Sequence, residues 1–220
     1  MIIAIDGPAG SGKSSTAREV ARRLGFLHVD SGAFYRALTY GLLGSGVPES
    51  AWEGLEERDL DRLRVRGEAG DGRLTMRVGG EVVEDGLRTP DINARVSHVA
   101  RIPAVRAWLL DRLRELADAD VVVDGRDIGT AVFPRAELKV FLEADPEVRA
   151  RRRLAEQGVA DPDDATLLAE VRRLRARDRL DSEREVAPLR RADDAVRVDT
   201  TALTFEEQIA AILELVRARR

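Results

Sequence analysis

Apolar residues recur in two rhythms along the chain. Short, nearly unbroken runs have the length and branching of buried parallel strands: Ile2-Ile3-Ala4-Ile5, Phe26-Leu27-His28-Val29, Val121-Val122-Val123, Leu138-Lys139-Val140-Phe141-Leu142 and Ala195-Val196-Arg197-Val198. Between them the spacing turns helical. Ser14 to Leu24 places Ala17, Val20, Ala21 and Leu24 on one face and closes at Gly25, and Ser31 is the expected N-cap of a helix from Gly32 to Leu43. Thr89-Pro90 and Pro103 open helices reaching Val99 and Ala117, and two arginine-rich helices lie between 145 and 181, parted by Gly158 to Pro162. Thr204 to Ala218 should turn Phe205, Ile209, Ile212, Leu213 and Val216 inward.

One stretch breaks the alternation. From Leu63 to Val83 the period falls to two (Leu63/Val65, Leu74/Met76/Val78, Val82) around a Gly79-Gly80 turn, which predicts a small antiparallel meander inserted beside the main sheet. The rest predicts an α/β fold: a doubly wound, five-stranded parallel sheet whose ligands gather at the carboxyl ends of its strands.

Composition narrows the class. The 220 residues suit one α/β domain; 44% hydrophobic and 35% charged residues with a net charge of −4 argue against a general nucleic-acid binder. Only Lys13 and Lys139 are lysines, so arginine supplies the remaining 34 of 36 basic side chains. With no cysteine there is neither disulfide nor thiolate metal site, and no apolar run reaches membrane-spanning length. A strand at the start in place of a leader makes cytoplasm the expectation, and with no conspicuous surface heptad or extra apolar stripe a monomer is expected.

The strongest chemical signal follows the first strand. Gly7-Pro8-Ala9-Gly10-Ser11-Gly12-Lys13-Ser14 fits G-x-x-x-x-G-K-[ST], with Ser15 next: a glycine loop that turns backbone N–H groups onto phosphates. Lys13 then reaches the β/γ-phosphates and Ser14 offers a hydroxyl to Mg²⁺, while the helix terminus adds its positive dipole end. The loop leaves open which nucleotide binds and where the γ-phosphate goes.

Other candidates fall at the same sheet edge. Asp124 ends an apolar strand facing the loop, where an NTPase keeps the acid that orients Mg²⁺ through water, and Gly125 lets Arg126 and Asp127 project over the cleft. Arg149, Arg152 and Arg153 share a helical face, either a salt-bridged solvated surface or donors for a transferring phosphoryl group. Arg177, Asp181 and Arg184 form a helical stripe, either surface ion pairs or a ribose and phosphate clamp. His28 and His98, far apart in sequence, read as structural.

At this point the sequence resembles the bacterial cytidylate kinases, nucleoside monophosphate kinases among the P-loop NTPases. The matching segments are Ile5 to Ser14, Asp30-Ser31-Gly32-Ala33-Phe34-Tyr35-Arg36, Leu87-Arg88-Thr89, Asp124-Gly125-Arg126-Asp127-Ile128-Gly129-Thr130 with Val132-Phe133-Pro134, and Arg177-Asp178 through Val186-Ala187-Pro188-Leu189. The resemblance implies phosphoryl transfer from ATP·Mg²⁺ to CMP or dCMP. By position, Arg36 and Arg126 would hold the acceptor phosphate with Tyr35 lining the pocket. Ser97, Arg106 and Asp127 would read the cytosine edge, Ser31, Arg177 and Asp181 the sugar, and Arg184 the base or the phosphate. Arg149, Arg152 and Arg153 would belong to a flap closing on ATP, with Thr200-Thr201 near adenine. It also implies one kinase domain over 1–220, with a core of 1–30, 103–145 and 185–220, a monophosphate-binding region over 31–102 that contains the meander, and a lid over 146–165.

Three rivals stand beside this reading. A P-loop kinase for another acceptor (UMP, AMP, shikimate or dephospho-coenzyme A) shares the loop. A hydrolytic switch needs a water-positioning glutamine, and neither Gln157 nor Gln208 is expected beside the phosphate loop. A nucleic-acid binder built on the arginine helices lacks interleaved aromatics and a basic net charge.

Overall fold

The computed structural model describes residues 1–116 and 119–219. The apolar runs become β1 (Ile2–Asp6), β2 (Leu27–Asp30), β6 (Val121–Gly125), β7 (Leu138–Glu143) and β8 (Val196–Asp199), with β3 (Arg66–Gly70), β4 (Arg73–Val78) and β5 (Glu81–Val82) in the inserted stretch. The sheet order is β3-β4-β2-β6-β1-β7-β8, and β5 pairs with β4. The five expected core strands pair in parallel, with Ile5 opposite both Asp124 and Val140.

Alternation along β1 splits the core in two. Ala4 joins Val29, Val121, Val123 and Phe34 on one face, under α2 (Ser31–Gly44) and α5 (Pro103–Glu115). Ile3 and Ile5 face the other way with Val122, Leu138 and Val140, covered by Ala17, Val20 and Ala21 of α1 (Lys13–Leu24) and Ile209 and Ile212 of α8 (Phe205–Arg217). A third cluster joins Ala9 of the loop to α6 (Pro146–Glu156) and α7 (Asp164–Ser182) through Ala150, Leu154, Leu167, Val171 and Leu174. Gly25 ends α1 in the left-handed region, and Thr89 caps α4 (Pro90–Val99) with its hydroxyl. Among the described residues no helix is long and apolar enough to cross a membrane.

Several expectations need correcting. The meander extends the main sheet instead of lying beside it, because the outer edge of β2 would otherwise stand unpaired: the His28 amide donates to the Gly72 carbonyl at 2.9 Å. Its first strand starts later than Leu63, because Leu63 ends a short helix, α3 (Glu57–Arg62), that the pattern did not predict. The cap of α2 is Asp30, whose carboxylate accepts from the Ala33 amide at 3.1 Å, and Ser31 is the first helical residue. α7 stops at Ser182, so Arg184 lies beyond the helix that was to carry it. Phe205, in the first turn of α8, is half exposed, and the expected end of α5 at Ala117 lies outside the described residues. His98 packs against Trp52, ring centroids 6.2 Å apart, in the structural role expected of it.

Candidate active site

β1 delivers the chain to its glycine loop through a gap that admits no side chain: a Cβ on Gly7 would stand 2.1 Å from the Leu142 carbonyl oxygen. Gly12, at φ 84°, occupies the N-cap position of α1. The buried Lys13 ammonium donates to the Pro8 carbonyl at 3.1 Å, bridging the loop from inside. Ala9 at the tip is gripped on both polar atoms. Its N–H donates to Asp178 at 3.0 Å, its carbonyl accepts from Arg149 at 2.8 Å, and Arg149 and Asp178 pair at 2.6 Å.

The floor is set by the ends of β2 and β6. Asp124 is 1% exposed; one carboxylate oxygen accepts from the Ser14 hydroxyl and the other lies 2.8 Å from His28 Nε2. Burial works to raise the Asp124 carboxyl, but His28, Ser14 and Lys13 outweigh it and hold it below the ordinary range. Ser31 Oγ donates to the Asp124 carbonyl at 2.7 Å, tying the start of α2 to β6.

Beyond β6 the chain turns through Arg126 and Asp127 into a single π-helical turn, Ile128–Val132. Arg126 Nε donates to Asp181 at 2.8 Å, and Arg106 closes on Asp127 while lying 5.8 Å from the Tyr35 ring. Burial again favours the neutral form of Asp181, but Arg126, Arg184 and Arg177 overcome it and lower its pKa. Arg184 donates from Nε to the Asp181 carbonyl at 3.1 Å, so the turn after α7 brings this side chain back to the cluster. Ser97 sits half-buried on α4.

The charges explain what the cleft lacks. Lys13 is lowered to about 7, first by burial and next by Arg126, with Arg177 adding to it. Arg36 falls to about 9 by burial, then by Arg177, Arg88 and Arg153, and Arg177 falls to about 10 by burial and Arg126. Among the described residues, Arg36 donates only to neutral acceptors, the Leu87 carbonyl at 3.2 Å and Asn93 at 2.6 Å, and Arg177 Nε and Arg184 Nη2 are buried without a hydrogen-bond partner. Cations that depress one another across a cleft with donors to spare make a site for a polyanion.

The arginine face of α6 diverges. Arg149 turns under the loop, Arg152 donates to the hydroxyl and carbonyl of Thr200 at 3.0 and 2.7 Å, and Arg153 pairs with Glu156 at 3.2 Å near the surface. Gln208 is beside the loop after all. Its amide donates to Thr16, and a Cβ on Gly12 would lie 3.4 Å from it. α8 brings it there from the far end of the sequence, which spacing alone could not show.

A family model described as cytidylate kinase matches residues 3–218. The chain belongs to the cytidylate kinase family. Membership places it among nucleotide-dependent phosphotransferases. A cytidylate kinase of Geobacillus thermodenitrificans is 47% identical over 99% of this chain and 96% of its own length. A bifunctional pantoate ligase/cytidylate kinase of Synechococcus sp. is likewise 47% identical over 99% of this chain, which spans 45% of that longer protein. A solved structure of an uncharacterized protein from Eubacterium ventriosum shares the fold, with TM-score 0.52 and 12% identity over 99% of this chain and 98% of that one.

Three acids and bases that hold the site together are missed by sequence reasoning. His28 was set aside as structural, although it faces the one carboxylate singled out on β6. Asp178 passed as part of a motif, and Asp6, ending the strand that feeds the loop, received no role. An acid at the carboxyl end of a buried strand was the available signal for Asp6.

Proposed function

We propose that this chain transfers the γ-phosphate of ATP to CMP or dCMP. The observation that carries the reading is the convergence of Lys13, Arg177 and Arg36, each pushed down by burial and by neighbouring cations, around Arg126, whose charge acts on Lys13 and Arg177, beside the Asp127–Arg106 pair. In this reading Pro8, Ala9, Gly10, Ser11, Gly12, Lys13, Ser14 and Ser15 receive the donor phosphates, and Arg152, anchored at Thr200, borders the adenine end.

Arg36 and Arg126 take the acceptor phosphate. Tyr35 lines the pocket, and Ser31, Arg177 and Asp181 contact the sugar. Asp127, aligned by Arg106 and assisted by Ser97, accepts from the exocyclic amine of cytosine; uracil would set a carbonyl against it, leaving two desolvated acceptors face to face. Arg184 contributes its spare donor on the base side.

The acceptor phosphate is already an anionic nucleophile, so the chain needs to position and neutralise, without a general base. Ser14 and Asp124 form an oxygen donor pair that fits Mg²⁺, Ser14 directly and Asp124 through water, which would supply charge neutralisation between the phosphates. Residues 146–165 act as the lid, Arg153 reaching the transferring group from it, over the core and the 31–102 acceptor region. The protein works as a cytoplasmic monomer on small nucleotides, without nucleic acid or membrane. A coupled assay tests this: ADP should form rapidly with CMP and only slowly without an acceptor, and equal rates would make it an ATPase instead.

A further inference from the structure

Asp6 is the last residue of β1, and the phosphate loop starts at the next position. Its carboxylate, on a residue 5% exposed, is held by the turn that follows β6. Oδ1 accepts from the Ile128 amide at 2.8 Å and Oδ2 from the Gly129 amide at 2.7 Å. Those amides open the π-helical turn that directly follows Arg126 and Asp127. Lys139 also packs against the turn: its Cδ lies 3.1 Å from where a Gly129 Cβ would be, with Asp6 Oδ2 at 3.4 Å from that point. Lys139 is itself fixed, donating to the Pro134 carbonyl at 2.6 Å and to Asp194 at 2.9 Å.

We propose that Asp6 is a positioning residue that locks the Arg126–Asp127 turn to the root of the phosphate loop, so that donor and acceptor sites share one rigid register. The inference rests on the acceptor-site reading above. A buried carboxylate held only by backbone amides is an expensive way to stabilise a fold. Burial pushes its carboxyl up to about 6, the two amides and Lys13 opposing this and Asp127 adding to it. A neutral side chain would avoid the cost of burying a charge but leave at least one of the two amides without an acceptor, whereas the carboxylate accepts from both at once and so fixes the orientation of each. Lengthening or losing that clamp moves Arg126 and Asp127 relative to Lys13, and displacements below an ångström already cost transfer.

The experiment compares the full-length protein with Asp6→Asn and Gly129→Ala. Asn keeps one acceptor and sets an NH₂ against the second amide; the alanine methyl wedges the turn from Lys139 without altering charge. Both should raise the dissociation constant for CMP about tenfold, leave that for ATP within twofold, and lose amide exchange protection at Ile128 and Gly129 alone. Asp6→Asn should still unfold cooperatively at pH 8, with a melting temperature lowered by the one buried amide left without an acceptor. Equal weakening of both nucleotides, unchanged CMP affinity with retained protection, or loss of cooperative folding in Asp6→Asn would overturn the proposal. If the unmodified protein itself fails to bind CMP, the acceptor reading fails separately, and the exchange pattern alone decides whether Asp6 holds the turn.

Discussion

His28 Nε2 lies 2.8 Å from Asp124 Oδ1, with both side chains buried and Asp124 Oδ2 turned to the Ser14 hydroxyl. When Ser14 gives its oxygen to a cation, His28 is left as the side-chain donor fixing Asp124. His28→Leu should destabilise the fold by about 1.5–3 kcal/mol, the range for a hydrogen bond to a charged group. It should also raise the Mg²⁺ concentration for half-maximal turnover several-fold, and His28→Gln, which keeps an N–H, should recover much of both. Magnesium titrations of the two variants check this; identical curves would leave Asp124 oriented by something else.

Lys13→Ala should lower kcat by about 100-fold or more, the usual cost of removing a preorganised charge at a transferring group, with a native far-ultraviolet spectrum. The unliganded ammonium at about 7 adds a pH signature. Between pH 7 and the ordinary lysine value the unfolded chain binds more protons than the folded one, so this group's contribution to stability rises with pH across that window. A bound polyphosphate restores the proton, so ATP binding at pH 8 should take up protons. Calorimetry in buffers of different ionisation enthalpy measures this, and zero uptake contradicts it.

Arg149 and Arg153 lie four residues apart on α6 but should behave differently. Arg149 braces Ala9 with Asp178, so Arg149→Ala should cost about 3 kcal/mol or more of stability, because Asp178 is left without its cation. Among the described residues Arg153 pairs only with the exposed Glu156 of its own helix, so Arg153→Ala should leave stability within about 0.5 kcal/mol while lowering kcat. Denaturant unfolding beside steady-state kinetics separates them, and matching losses in both would merge their roles.

Gly67 in β3 tests how the inserted hairpin is seated, since a Cβ there would stand 2.8 Å from Phe34 Cζ. Gly67→Ala should cost about 1–3 kcal/mol as overpacking. An unchanged unfolding midpoint would show that Phe34 yields freely.

The five parallel strands, the glycine loop and most helix caps were legible because each follows from local spacing: branched apolar runs, a fixed loop pattern, Thr89-Pro90, Gly25. The partners were not. Whether Ser31 or Asp30 caps α2 depends on Ser31 being drawn to the Asp124 carbonyl from across the sheet. The spacing of Arg149, Arg152 and Arg153 predicts three guanidiniums on one face, but the side chains part to Ala9, Thr200 and Glu156, only the last of which is local. His28, Asp6, Asp178 and Gln208 act on residues 96, 122, 169 and 192 positions away, and no window of sequence holds such pairs.

Asp127 carries the choice of acceptor. Replacing it with Asn puts a donor where cytosine presents its amine, so the CMP to UMP ratio of kcat/KM should fall at least tenfold. An unchanged ratio would move base reading to another side chain.

The most direct test of the whole account is the steady-state rate with ATP and Mg²⁺ across CMP, dCMP, UMP, AMP and shikimate at equal concentration. CMP or dCMP should be phosphorylated with the highest kcat/KM. UMP, AMP or shikimate outrunning both would contradict it.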